Sequence, residues 1–172
     1  MQKRYICFYL CLTLVSMITR AQTCVTNINA TSATERFTLN NDGTAIDTAT
    51  GIMWYRCSLG QTWDEVSSSC TGGSEQVTWQ QALQQAAAFN GAGFSNWQLP
   101  NIKELSSIVE RQCVDSAINL TVFPNSEVAN YWSSTTGVDT PSLAWAVAFY
   151  SGKSNLRDKS SDVFIRVMRY AN

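Results

Sequence analysis

Four cysteines, Cys24, Cys57, Cys70 and Cys113, limit what this chain can fold into more than any other feature. They become a set of four once the N-terminus is read. Lys3 and Arg4 precede an uncharged run from Tyr5 to Ile18 that is too short to cross a bilayer comfortably. Thr19-Arg20-Ala21 then places small residues at the −3 and −1 positions of a signal-peptidase site. Residues 1–21 are therefore read as a signal peptide, with Gln22 as the new N-terminus. A lipoprotein cut before Cys24 fits less well, because Thr23 and Ala21 stand where its small and aliphatic residues belong. Cleavage removes Cys7 and Cys11, leaves no transmembrane anchor, and implies a secreted, periplasmic or cell-surface location. An even number of cysteines in such an oxidising compartment reads as two disulfides, with three possible connectivities. Cys57 with Cys70 is preferred because they close a short polar loop, which leaves Cys24 with Cys113 to tether the N-terminal segment. Each bridge is expected to contribute ~2–4 kcal/mol on a chain-entropy argument.

Charge and size narrow the class. Loss of Lys3, Arg4 and Arg20 leaves nine basic residues against thirteen acidic ones. That balance argues against a nucleic-acid partner, which needs a basic footprint. About 150 mature residues make one domain of ordinary size with a real core. There is no histidine and no C-x-x-C pair, so neither a zinc site nor any cofactor is expected.

Residues 22–35 are polar, without periodicity, and read as a loose leader held at Cys24; residues 36–172 form the domain. Phe37 and Leu39 alternate with polar neighbours, Asn41-Asp42-Gly43 signals a turn, and Thr44–Ile46 returns as a partner strand. A turn at Asp47–Gly51 leads to a strand at Ile52–Tyr55, and Ser58–Ser74 reads as a loop around Trp63. Thr78 caps a helix whose stripe is Trp79, Ala82, Leu83, Ala86 and Phe89, with Gly91 as its stop. Asn101 and Glu104 form a capping box for a second helix. Strands are expected at Tyr131–Thr135, at Ala144–Phe149 and finally at Val163–Met168. Two helices packed on short antiparallel strands give an α+β domain rather than a βαβ alternation.

The segments GIMWYRC, TWQQALQQA, GFSNWQLPNIKELSSIVE, INLTVFP, YWSSTT, AWAVAFYSG and VFIRVMR, in that order, resemble the Lcl C-terminal domain family across residues 36–170. Gln98 departs from the pattern, where the family usually carries Arg. The resemblance implies an extracellular or periplasmic bacterial binding module, since the family takes its name from the terminal domain of collagen-like adhesins that bind sulfated glycans. The W-x-L-P-x-x-x-E-L run from Trp97 to Leu105 is also similar to a signature of formylglycine-generating-enzyme-like domains, which implies a C-type-lectin-like fold. Fold alone does not settle function.

The chemistry follows mainly from what is missing. Without histidine there is no Ser-His-Asp or Cys-His nucleophile, and paired cysteines leave no thiolate. A two-carboxylate hydrolase remains formally open through Asp64, Glu65, Glu75, Glu104, Glu110 or Asp115, none of them in a recognisable motif. The expected role is therefore non-catalytic binding of a glycan or a cell-surface protein, with assembly into a surface appendage as the alternative. Trp63, Trp97 and Trp132 are the rings available to stack on a ligand, and Trp132 with Ser133 and Ser134 is the leading candidate. Trp54, Trp79 and Trp145 read as core, and Trp97 reads more readily as core than as ligand surface. Lys153, Arg157, Lys159, Arg166 and Arg169 form a local basic surplus suited to sulfate or carboxylate groups, and Lys153, Arg157 and Lys159 are taken as ligand-binding. No calcium-dependent sugar motif is present.

Overall fold

The computed structural model describes residues 21–171; the expected signal peptide, apart from Ala21, lies outside them. Among the described residues the strands are β1 (Thr23–Cys24), β2 (Phe37–Leu39), β3 (Thr44–Asp47), β4 (Ile52–Tyr55), β5 (Thr62–Asp64), β6 (Ser69–Thr71) and β7 (Gln76–Val77). Two helices follow, α1 (Trp79–Ala88) and α2 (Ile102–Ser107). The remaining strands are β8 (Cys113–Val114), β9 (Asn130–Thr136), β10 (Leu143–Ala148), β11 (Lys153–Asp158), β12 (Val163–Phe164) and β13 (Met168–Tyr170). They build a five-stranded sheet in the order β11-β10-β9-β12-β7 and a four-stranded sheet in the order β13-β4-β3-β2. The pairs β1-β8 and β5-β6 complete an architecture of mostly β-sheet with two helices.

Local chemistry accounts for most of these elements. Asp42 Oδ1 accepts from the Thr44 N–H at 2.9 Å in the β2–β3 turn. The Gln81 side-chain oxygen accepts from the Thr78 N–H at 3.0 Å and so closes the first turn of α1. The helix stops at Phe89, whose backbone turns extended, rather than running to Gly91. Asn101 Oδ1 accepts from Lys103 and Glu104 N–H groups while Glu104 accepts from the Asn101 N–H, a complete capping box. Along β10, Ala144 and Ala146 belong to the core cluster that includes Ala82, Ala86 and Trp132. Val147 and the following Phe149 belong to the cluster that includes Leu105, Ile108 and Tyr131. The strand is packed on both sides, α1 covering one face of the sheet and α2 the other.

Both disulfides follow the preferred pairing, Cys57 with Cys70 across 13 residues and Cys24 with Cys113 across 89. Four readings need correction. The Ser58–Ser74 segment contains the β5–β6 hairpin, with Trp63 opposite Cys70. The last apolar run splits: β12 joins the larger sheet, the chain crosses at Ile165–Val167, and β13 pairs with β4. Not every pairing is antiparallel, since β12 runs parallel to β9. The leader is held at more points than its cysteine: β1 pairs with β8, and Gln22 Nε2 donates to the Ser116 and Ile118 carbonyls. No helix among the described residues is long and apolar enough to cross a membrane.

Candidate functional site: a cationic edge strand

β11 is the outer strand of the larger sheet, and its register decides which way its charges face. Lys153, Asn155 and Arg157 lie opposite Ala148, Ala146 and Ala144 of β10, so all three side chains share one face. Asp158 lies opposite Leu143, on the other face. The Ser160 N–H at 2.9 Å and its hydroxyl at 2.7 Å hold the Asp158 carboxyl below its ordinary value. Just past the strand, the Lys159 ammonium sits 4.1 Å above the Trp79 ring and donates to Thr136 Oγ1 at 2.7 Å. Lys153 and Arg157 are exposed. From Lys153 to Lys159 the cations run for ~20 Å, at the usual rise of a strand. A shallow cavity of about 450 Å³, lined by Thr78, Trp79, Gln80, Lys159 and Ser160, opens at its end.

The remaining sequence candidates separate from this face. Trp132 is fully buried and its Nε1–H donates to the Val77 carbonyl at 2.9 Å, so its ring offers no surface to a ligand. Ser133 is equally buried, its hydroxyl donating to the Trp145 carbonyl. Their expected ligand role is corrected: strand alternation turns Trp132 under α1. Ser134 is half-buried and lines a different groove, with Gln98, Asn101, Glu104 and Tyr170. Arg166 and Arg169 also leave the basic cluster. Arg166 is 0 % exposed, and the Arg169 Nε–H donates to Asn96 Oδ1 at 2.7 Å.

Of the tryptophans, Trp54 and Trp97 are core as expected. Trp79 is half-buried, its Nε1–H donating to the Ser133 carbonyl at 2.8 Å. Trp145 is half-buried rather than interior, because its β11 neighbour Leu156 stands on an edge strand and is itself exposed. Trp63 is half-buried on the β5–β6 hairpin.

Three of the six candidate hydrolase carboxylates are committed to local structure. Glu110 is buried and accepts from the N–H groups of Thr31, Ser32 and Gln112 at 2.9–3.0 Å. Burial alone raises its pKa, but these donors outweigh that and hold the carboxyl below its ordinary value. Glu104 caps α2 and accepts from the Tyr170 hydroxyl at 2.5 Å. Asp64 accepts from the Ser67 hydroxyl and the Val66 N–H, which lower its pKa. Among the described residues no three His, Cys, Asp or Glu side chains group to hold a metal.

Residues 43–169 match the model of the Lcl C-terminal domain, and the chain belongs to that family, which points to an adhesin-related module. A search of curated proteins finds no match.

Proposed function

We propose that this Lcl C-terminal domain protein is an exported, non-catalytic binding module that receives a polyanionic glycan on its β11 edge. One observation carries the reading: Lys153 and Arg157 follow one another along a single face of β11, with Asp158 turned to the other and Lys159 just past the strand end over Trp79. Sulfate and carboxylate groups spaced along a chain would meet such a row of donors, and the contacts would be charge-assisted. Trp79 stiffens the end of the row by holding the Lys159 ammonium over its ring. Disulfides fit an oxidising, extracellular compartment. The absence of histidine and the commitment of Glu104, Glu110 and Asp64 to caps and turns support a role without catalysis. We read the helices and mixed sheet as a C-type-lectin-like arrangement on the strength of the Trp97–Leu105 segment.

A second reading is favoured by the opposite face of the same edge. There Leu156 is exposed beside the half-buried Trp145, and Val138 is exposed nearby in sequence to β9. A protein neighbour on this strip would make the chain an assembly component or bind it to a cell-surface protein.

The test is retention of the mature protein on a heparin-type resin. Retention that weakens with salt and disappears in the Lys153→Gln/Arg157→Gln/Lys159→Gln variant supports the glycan reading. Lys103→Gln/Arg111→Gln, which removes two exposed charges elsewhere, should leave retention nearly intact. Unchanged retention in the triple variant sinks the assignment, and purification in a fixed-stoichiometry complex without glycan affinity favours the assembly role.

A further inference from the structure

The hairpin β5–β6 creates a second concave surface that shares no residue with the cationic edge. Beneath it lies a groove of about 510 Å³, lined by Asn40, Asn41, Arg56, Trp63, Ser68 and Thr121 among others. Arg56, directly after β4, is only 6 % exposed. Its Nε–H donates to the Val122 carbonyl at 2.8 Å and one terminal nitrogen donates to the Thr121 carbonyl at 3.0 Å. The other terminal nitrogen has no protein partner among the described residues. The only ion pair among those residues is Arg36 with Asp47, so the Arg56 charge is not answered by a carboxylate.

Such a guanidinium is costly to bury unless something else holds it. Trp63 does so: its ring lies 4.1 Å from the guanidinium carbon, and its own Nε1–H is fixed by the Asn41 carbonyl at 2.7 Å. Gly43 makes room for that ring. A Cβ at Gly43 would stand 2.4 Å from Trp63 Cγ, so no side chain is tolerated there without moving the indole. Burial also lowers the basicity of Arg56, though not enough to neutralise a guanidinium. Around it the side chains of Asn41, Ser68 and Thr121 make no hydrogen bond within the described residues, which leaves donors and acceptors free at the mouth of the groove.

We infer that this groove is an oxyanion-binding site, taking a carboxylate or sulfate group on Arg56 and the hydroxyls of an acidic sugar residue on Asn41, Ser68 and Thr121. Within this groove the indole is not a stacking platform for the ligand, because Arg56 occupies the face it presents there. Trp63 is a positioning residue that fixes the guanidinium fork, as bidentate recognition of an oxyanion requires. Glu65 also lines the groove and opposes an anion there, so it tunes affinity downward.

The inference is tested by titrating the mature, disulfide-intact protein with sodium glucuronate while following the Trp63 indole N–H resonance. Saturable shifts are expected, with glucose giving none at equal concentration. Arg56→Lys, which keeps the charge but loses the fork, should weaken glucuronate by about tenfold or more. Because Arg56 also braces the Thr121–Val122 backbone, two variants that leave it in place keep the test independent of folding. Glu65→Gln should tighten binding about twofold to threefold, as loss of a screened like charge predicts. Asn41→Ala/Ser68→Ala should weaken it about threefold to tenfold through lost ligand hydrogen bonds. Inorganic sulfate distinguishes the sources: shifts equal to those of glucuronate support the oxyanion site and assign it to the bare anion. Silent indole resonances, a response to glucose equal to that for glucuronate, or affinity unchanged across all three variants overturns it. The Lys153→Gln/Arg157→Gln/Lys159→Gln protein should bind glucuronate as before, so failure of the edge-strand reading and failure of this one remain separable.

Discussion

Lys153 and Arg157 lie on an edge strand open to solvent with half-buried Lys159 just past its end, whereas Arg166, only seven positions beyond Lys159, is sealed inside. The two regions are alike in composition and opposite in environment. Along β11 every residue except Asn155 is exposed, and no further strand lies beyond it. Arg166 sits instead where the chain crosses between the two sheets, and its guanidinium ties the end of β4 to the loop that precedes β9. It donates to the Tyr55 and Arg56 carbonyls at 3.2 and 2.7 Å and to the Ser126 hydroxyl at 2.7 Å, above the Phe123 ring at 4.6 Å. Basic residues in this chain thus serve two purposes, and topology decides which. An edge presents charge, and a crossover consumes it.

The comparison breaks first at Arg166. Arg166→Ala removes the donor from three acceptors and opens a cavity, and we expect it to cost ~3–5 kcal/mol of unfolding free energy in urea titrations. Arg166→Met keeps much of the volume and relieves the buried charge, so its cost should be smaller, ~1–3 kcal/mol. A loss below about 1 kcal/mol for Arg166→Ala would show that the interior arginine is not structural. Arg169 comes next. Its Nε–H holds Asn96 and its guanidinium carbon lies 4.4 Å from the Phe94 ring, and Arg169→Ala is expected to cost ~1–3 kcal/mol.

Buried charge also couples stability to pH. The Glu110 carboxyl is held below its ordinary value near 4.5. A depressed folded-state pKa means that the unfolded chain binds the proton more tightly. Its stabilisation is therefore present above the ordinary value and is lost as the pH falls through the folded one. Glu110→Gln should flatten the acid limb of a plot of urea midpoint against pH. The slope that remains belongs in part to Asp47, depressed by Arg36 and Thr50 against the effect of its own burial. An acid limb unchanged by Glu110→Gln would remove the leader clamp from the explanation.

Much of the fold is legible along the chain because it rests on local chemistry. Thr78 with Gln81 and Asn101 with Glu104 set their helices within a few residues, and Asp42-Gly43 sets its turn. The short disulfide is legible for the same reason, since Cys57 and Cys70 close a small loop. The site is less legible because it depends on which strand lies at an edge. Nothing within Tyr131–Thr135 says that Trp132 turns under α1, and nothing within Ala144–Phe149 says that Trp145 stands beside an exposed neighbour. One signal was present. Arg166 interrupts an otherwise apolar run from Val163 to Met168, and a charge in such a run is more economically placed as a buried hydrogen-bond donor than as surface. The groove at Arg56 gives no comparable sign, because Gly43, Trp63 and Thr121 are brought to it from three separate segments.

The smallest expected effects sharpen the exposed side of the comparison. Lys153→Gln and Arg157→Gln remove charges without partners among the described residues, and each should change unfolding free energy by no more than ~0.5 kcal/mol. Lys159 differs from both, because its ammonium lies over Trp79 and donates to Thr136. Lys159→Gln should cost ~0.5–1 kcal/mol, the usual size of an exposed cation–π contact. The assignment of that cost to the ring is checked by a double-mutant cycle with Trp79→Leu. If the penalty of Lys159→Gln persists in the Trp79→Leu background, the hydroxyl of Thr136 rather than the indole is what holds the lysine. A penalty at Lys153 or Arg157 as large as that at Arg169 would mean that the edge charges are structural too, and the distinction between presented and consumed charge would fall.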